Sequence, residues 1–202
     1  CSKLSPKNQV AIHNSLVVKD VAAFGWKRPY VLWVSNIKSR KQPHLFIQLA
    51  KELDGSGVDF LMAGKVQGGG YEYLKSGSGL PENFYYLGAK SSEEVNSMIK
   101  SSLFLAHTCL PEGFPNVFIQ AWVQGKPVVS LAFDPEGLIQ KERLGFYSGG
   151  FEQFKTDVRK LIDDADLRRR MGEQAQKLAK QEFDPKINVR KLEEFLNSII
   201  SK

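Results

Sequence analysis

The feature that most constrains this chain is an alternation: short, mainly apolar runs of about four to six residues are separated by amphipathic stretches of about ten to twelve. Tyr30-Val31-Leu32-Trp33-Val34, bracketed by Pro29 and Ser35-Asn36, reads as a strand buried on both faces. Leu45, Leu49 and Leu53, with Phe46 and Ala50, fall at helical spacing, which predicts a helix over 43–53 with Pro43 in its first turn. Strands are expected over 58–63 and 84–87, each ended by a glycine, Gly64 and Gly88. Ser91 or Ser92 then caps a helix whose first turn carries Glu93 and Glu94, where the helix dipole favours acids. A strand over 103–106, a helix over 115–124 stopped by Gly125 and a strand over 127–130 complete the series.

Strands that alternate with helices imply right-handed βαβ units and an α/β fold, a Rossmann-like, doubly wound parallel sheet flanked by helices. From Phe151 the pattern is purely helical, over 151–163, 166–182 and 186–200, the last capped by Asp184 and opened by Pro185. The glycines at 68–70 and the Ser-Gly stretch at 76–79 are expected to be mobile surface loops. Residues 9–13 are expected as a short strand and 14–28 as a connector. The expected organisation is therefore a connector or hinge remnant over 1–28 and a ligand-binding domain over 29–202. A chain that opens on Cys1 after such a lead-in is the expected look of a piece cut near a hinge, its upstream domain missing.

In an open α/β sheet, ligands bind beyond the carboxyl ends of the strands. Those ends concentrate Gly, Lys, Ser and acids. The most informative is 111–121, between a strand and a helix, where Gly113 permits close backbone approach or a positive φ. The first helical turn after it aims peptide N–H groups at the cleft, an arrangement that binds diphosphate oxygens. Glu112 can accept hydrogen bonds from hydroxyls, and Gln120 lies about two turns further along the helix. Lys41, at a helix start beside a strand end, reads as a diphosphate ligand or as a loop lysine. His107 closes a strand and reads as a donor to a ligand oxygen or as a packed histidine.

The stretch Glu112-Gly113-Phe114-Pro115-Asn116, with Gln120-Ala121-Trp122 and then Gly125-Lys126-Pro127-Val128-Val129-Ser130, resembles the signature of family 4 retaining glycosyltransferases (glycosyl transferases group 1). The likeness runs through nearly the whole chain: Asn14 in the connector, Lys41-Gln42-Pro43 after the first strand, Gly88 before a Ser-x-x-Glu-Val helix, and Met171-Gly172 among charged neighbours. It implies the C-terminal half of a GT-B fold, which binds a nucleoside-diphosphate sugar and takes part in hexose transfer with retention. Glu112 would be the catalytic-site acid that orients the sugar. Lys41, Asn36, Gly113, Phe114, Pro115, Asn116, Gln120 and His107 would hold the donor, with Gly64, Lys65, Leu87 and Lys90 around its base.

Two positions depart from the family pattern. Gln120 stands where a second glutamate is expected, and Ser35-Asn36 where a Gly-Arg pair is expected. These departures motivate the alternative of a nucleotide-binding module without transferase activity. The resemblance implies no metal and no cofactor beyond the donor, and three scattered histidines without a cysteine pair agree. It also implies that the acceptor domain is missing and that this piece alone transfers nothing.

A net charge of +6 suits an anionic partner. Nucleic acid is disfavoured, because no basic stripe with interleaved aromatics is present. Arg168-Arg169-Arg170 is either a solvated helical face or a meeting point for acidic lipid headgroups, hence possible peripheral membrane contact in the full-length protein. Two cysteines, no signal-peptide pattern and no apolar run near the ~20 residues of a membrane span predict a cytoplasmic location, peripheral at most to the inner membrane face.

Overall fold

The computed structural model describes residues 12–110 and 113–200. Strands and helices alternate as β1 (Tyr30–Val34), α1 (Pro43–Glu52), β2 (Asp59–Ala63), α2 (Tyr73–Ser76), β3 (Phe84–Tyr86), α3 (Ser92–Ser101), β4 (Leu105–His107), α4 (Asn116–Val123), β5 (Val128–Ser130), α5 (Leu138–Lys141) and β6 (Gly145–Tyr147). Three helices follow: α6 (Phe151–Asp163), α7 (Ala165–Glu182) and α8 (Pro185–Ile200). The six strands form one sheet in the order β3-β2-β1-β4-β5-β6, every pair parallel. The doubly wound expectation is met.

Alternate residues of each strand feed opposite faces. Val31 and Trp33 join Phe46, Phe60, Phe154 and Leu161, which places α1 and α6 on one side. Tyr30 and Leu32 join Ile99, Phe118, Trp122 and Ala175, which places α3, α4 and α7 on the other. Both faces are covered, so the strands carry the continuous apolar runs that parallel sheets require. Trp33 and Trp122 are buried core residues, while Trp26 is half-buried and donates its indole N–H to Asp59 Oδ2 at 2.8 Å. Ser91 and Glu94 cap α3 reciprocally.

Three expectations need correction. A strand over 9–13 is not formed where the chain is described: Ile12 and His13 are irregular, and 9–11 lie outside the described residues. β6 was not expected; a three-residue edge strand opening on a glycine shows no periodicity. β4 runs two residues later than the apolar run suggests. Leu103 and Phe104 still bond to β1, through Leu103 N–H to Tyr30 O at 2.9 Å and Leu32 N–H to Phe104 O at 3.2 Å.

Residues 12–29 contain neither helix nor strand. They are tied down by Lys100, which reaches Asp20 Oδ1 at 2.7 Å and Val21 O at 2.6 Å, and by Asn188 of α8, which donates to His13 O at 3.0 Å. α7 crosses α4 so closely that a β-carbon on Gly172 would overlap the carbonyl oxygen of Gly125.

Candidate functional site

β1 and β4 are neighbours, but the chain leaves β1 for α1 on one face and β4 for α4 on the other. Their carboxyl ends therefore part and open a crevice, the point at which doubly wound sheets bind ligands. A cleft of about 610 Å³ lies there, lined by Asn14, Val34, Ser35, Asn36, Lys41, His107, Gly113, Phe114, Pro115, Asn116 and Val117. A second cavity of about 210 Å³ shares Val34, Ser35 and Asn36 with it and continues to Ala63, Gly64, Lys65, Ala89, Lys90 and Val95. Among the described residues, the two linings carry Lys41, Lys65 and Lys90 and no carboxylate.

Lys41 ends a single 3-10 turn, Ser39–Lys41, from which Gln42 leaves with φ 48° before Pro43 opens α1. The turn buries none of its residues. It is fastened to the segment after β4 instead: the Thr108 hydroxyl donates to Lys41 O at 2.8 Å, and Leu110 N–H donates to Arg40 O at 3.1 Å.

α4 points its amino end into the cleft. Pro115 is its N-cap, no side chain caps it, and its first turn holds no acid. Phe118 N–H bonds back to Pro115 O at 3.0 Å, while helix geometry gives the N–H groups of Asn116 and Val117 ahead of it no intrahelical acceptor and leaves this end with partial positive charge. Asn116 takes a hydrogen bond from Asn14 Nδ2 at 3.3 Å, which brings the connector to the cleft wall. Phe114 fixes the approach, set against His13, Trp122 and Phe183 with ring centroids 5.4–6.1 Å apart. Gly113 lines the cleft. Glu112, with Pro111, lies outside the described residues.

Beside Ser35, Gly64 is required by close approach, since a β-carbon would overlap the Ser35 carbonyl. Tyr86 donates its hydroxyl to Gly64 O at 2.9 Å, and burial pushes that hydroxyl above its ordinary pKa. Lys90 reaches Glu94 at 3.1 Å. Glu94 is held below the usual carboxylate range, first by the Ser91 backbone N–H and then by Lys90. His107 is buried at the back of the larger cleft, its Nδ1 3.3 Å from Ser130 Oγ and its ring edge-on to Phe118 at 4.7 Å.

Two sequence-predicted residues stand apart from the clefts. Leu87 packs against the core on the α3 and α4 side. Gln120 donates to Asn96 Oδ1 of α3 at 3.1 Å, and neither lines the two cavities. Thr108 and Asn14 hold places at the cleft that the motifs do not assign; the family resemblance marks Asn14 only as a connector residue. The run Arg168-Arg169-Arg170 separates by direction. Arg168 holds the carbonyls of Leu161 and Ile162, and Arg169 pairs with Glu173 at 2.9 Å. Arg170 lines a separate cavity of about 820 Å³ with Arg143, Phe146 and Met171, larger than the site cleft and away from the strand ends that converge on it. Among the described residues, no three His, Cys, Asp or Glu gather as a metal site, and no helix is long and apolar enough to cross a membrane.

Comparison with known proteins bears on this geometry. The family described as glycosyl transferases group 1 matches residues 19–178. Alpha-D-kanosaminyltransferase of Streptomyces kanamyceticus is 30% identical over 156 residues, which is 73% of this chain but 40% of that protein. Among solved structures, Anabaena HepE in complex with UDP and glucose is 24% identical with a TM-score of 0.72, over 85% of this chain and 48% of its own. A glycosyltransferase from Rickettsia africae is 18% identical with a TM-score of 0.71, over 87% and 48%. The structural likenesses show the fold, that of GT-B glycosyltransferases, and this chain spans less than half the length of these proteins.

Proposed function

The chain belongs to the glycosyl transferases group 1 family, and from that premise we propose that it is the donor-binding half of a retaining, family 4 glycosyltransferase. The whole enzyme moves a hexose from a nucleoside-diphosphate sugar to a glycan or lipid-linked acceptor. The observation that carries this reading is the convergence, at the β1–β4 switch point, of Lys41 and the uncapped amino end of α4 on one cleft free of described carboxylates. A diphosphate needs fixed positive charge and aimed N–H donors, and this end of the fold supplies both. HepE, of similar fold, was solved with UDP, which supports a nucleoside diphosphate as the ligand.

In this reading Lys41 and the α4 amides neutralise the leaving diphosphate without a metal. The base occupies the side of Gly64, Lys65 and Lys90, and Glu112 orients the sugar hydroxyls. The acceptor is held by a partner domain of the same protein, so the isolated domain binds donor and transfers nothing. A second reading, nucleotide binding without transfer, is favoured by one contact: Gln120 is committed to Asn96. Donor turnover by the full-length protein separates the two.

The test is a thermal-shift panel of UDP, GDP and ADP on the wild-type domain and on Lys41→Ala. At least one nucleotide should raise the melting temperature at saturating concentration. Lys41→Ala should weaken that nucleotide by about tenfold or more, the scale of a lost hydrogen bond to a charged group. No shift with any nucleotide contradicts the reading.

A further inference from the structure

We propose that Thr108 is a positioning residue for the diphosphate end of this cleft, its buried hydroxyl holding the Lys41 turn in register with α4. The proposal rests on reading the cleft as a nucleoside-diphosphate site. Thr108 is fully buried, one residue beyond β4. Its hydroxyl receives the indole N–H of Trp33 at 2.9 Å and donates to Lys41 O at 2.8 Å. An indole can only donate and a carbonyl only accept, so the direction of the hydroxyl proton is fixed. One side chain thereby ties together β1, the end of β4 and the lysine turn, the three pieces that meet at the switch point.

The turn needs such a tie. Its internal bonds, Lys41 N–H to Lys38 O and Gln42 N–H to Ser39 O, both 2.9 Å, give it shape but not location. None of its own three residues is buried, so apolar anchoring comes from its flanks, Ile37 and Pro43, and not from the turn itself. From the β4 side it is held by the Thr108–Lys41 bond and the Leu110–Arg40 bond. Loss of the Thr108 hydroxyl removes this bond to the Lys41 carbonyl and loosens the turn against the cleft, leaving the lysine itself intact.

The experiment is calorimetric titration of UDP into wild-type domain, Thr108→Val, Thr108→Ser, Lys41→Ala and the Thr108→Val/Lys41→Ala double variant. Thr108→Val should bind UDP about fivefold more weakly, the effect of one net hydrogen bond, and Thr108→Ser should bind like wild type. In the Lys41→Ala background the second change should cost nothing further, because its effect passes through Lys41. If Thr108→Val does not fold, Thr108→Ala removes the same hydroxyl without the added methyl and should show the same loss. Unchanged UDP affinity without the hydroxyl, or an equal loss in both backgrounds, overturns the proposal alone. Absence of UDP binding by the wild type overturns it together with the site reading.

Discussion

Gly172 offers a test in which two physical arguments predict opposite signs. It lies in the interior of α7, an 18-residue helix, where helix propensity alone makes Gly→Ala stabilising by about 0.8–1.0 kcal/mol. The packing argues the reverse. A β-carbon at Gly172 would overlap the carbonyl oxygen of Gly125, a backbone atom that cannot swing aside as a long side chain would. Gly125 is itself held in the left-handed conformation, φ 67°, with its N–H bonded to Trp122 O at 3.0 Å. Relief therefore requires α7 to move off α4. Overpacking of a core contact costs about 1–3 kcal/mol, and a backbone obstacle sits at the upper end of that range. Subtracting the propensity gain leaves a net loss of about 1–2 kcal/mol. For a chain of this length that lowers the melting temperature by about 2–8 °C. The assay is thermal unfolding followed by circular dichroism. Gly25→Ala serves as control, since a β-carbon there meets nothing within 4 Å and the backbone is not left-handed. A melting temperature for Gly172→Ala at or above that of wild type would refute the packing argument.

Two further outcomes follow from particular contacts. Glu94 titrates below its ordinary value of 4.5, so the unfolded chain takes up that proton at higher pH than the folded one. Its contribution is then present above that value and lost as pH falls through the lower, folded pKa; the stability gap between wild type and Glu94→Gln in urea unfolding should shrink from pH ~7 to pH ~3, and an unchanged gap would count against it. Gln120→Glu, which restores the acid of the family pattern, should bind UDP at least as tightly as wild type by titration calorimetry, because Asn96 can turn its amide to donate to the new carboxylate. A marked loss of UDP affinity would mean that the Gln120–Asn96 contact is itself needed by the site.

Most of the fold was legible because its elements are periodic. The helices at Phe151–Asp163 and Pro185–Ile200 repeat their apolar residues at helical spacing and the strand Tyr30–Val34 is an unbroken apolar run of strand length, so local pattern and tertiary role agree. β6 was not legible: Gly145-Phe146-Tyr147 is too short to show a period, and it is a strand only because β5 offers its free edge. At the site, Lys41 and the turn before α4 could be placed from sequence because they follow strand ends directly. Thr108 could not, since its role depends on Trp33 and Lys41, 75 and 67 residues away in sequence. Gln120 shows the opposite failure. Its helical position relative to Glu112 suggests reach into the cleft, but the side chain is turned toward Asn96. Periodicity fixes which turn of a helix a residue occupies, not which neighbour its side chain finds.

Amide NMR shift mapping with UDP tests directly whether the nucleotide occupies the cleft at the β1–β4 switch point. UDP should perturb the amides of Ser35, Asn36, Lys41, Gly113, Asn116 and Val117 and leave those of Arg143, Phe146 and Arg170 in place. Perturbations gathered around the larger cavity at Arg143 and Arg170, or none at saturating UDP, would contradict that placement.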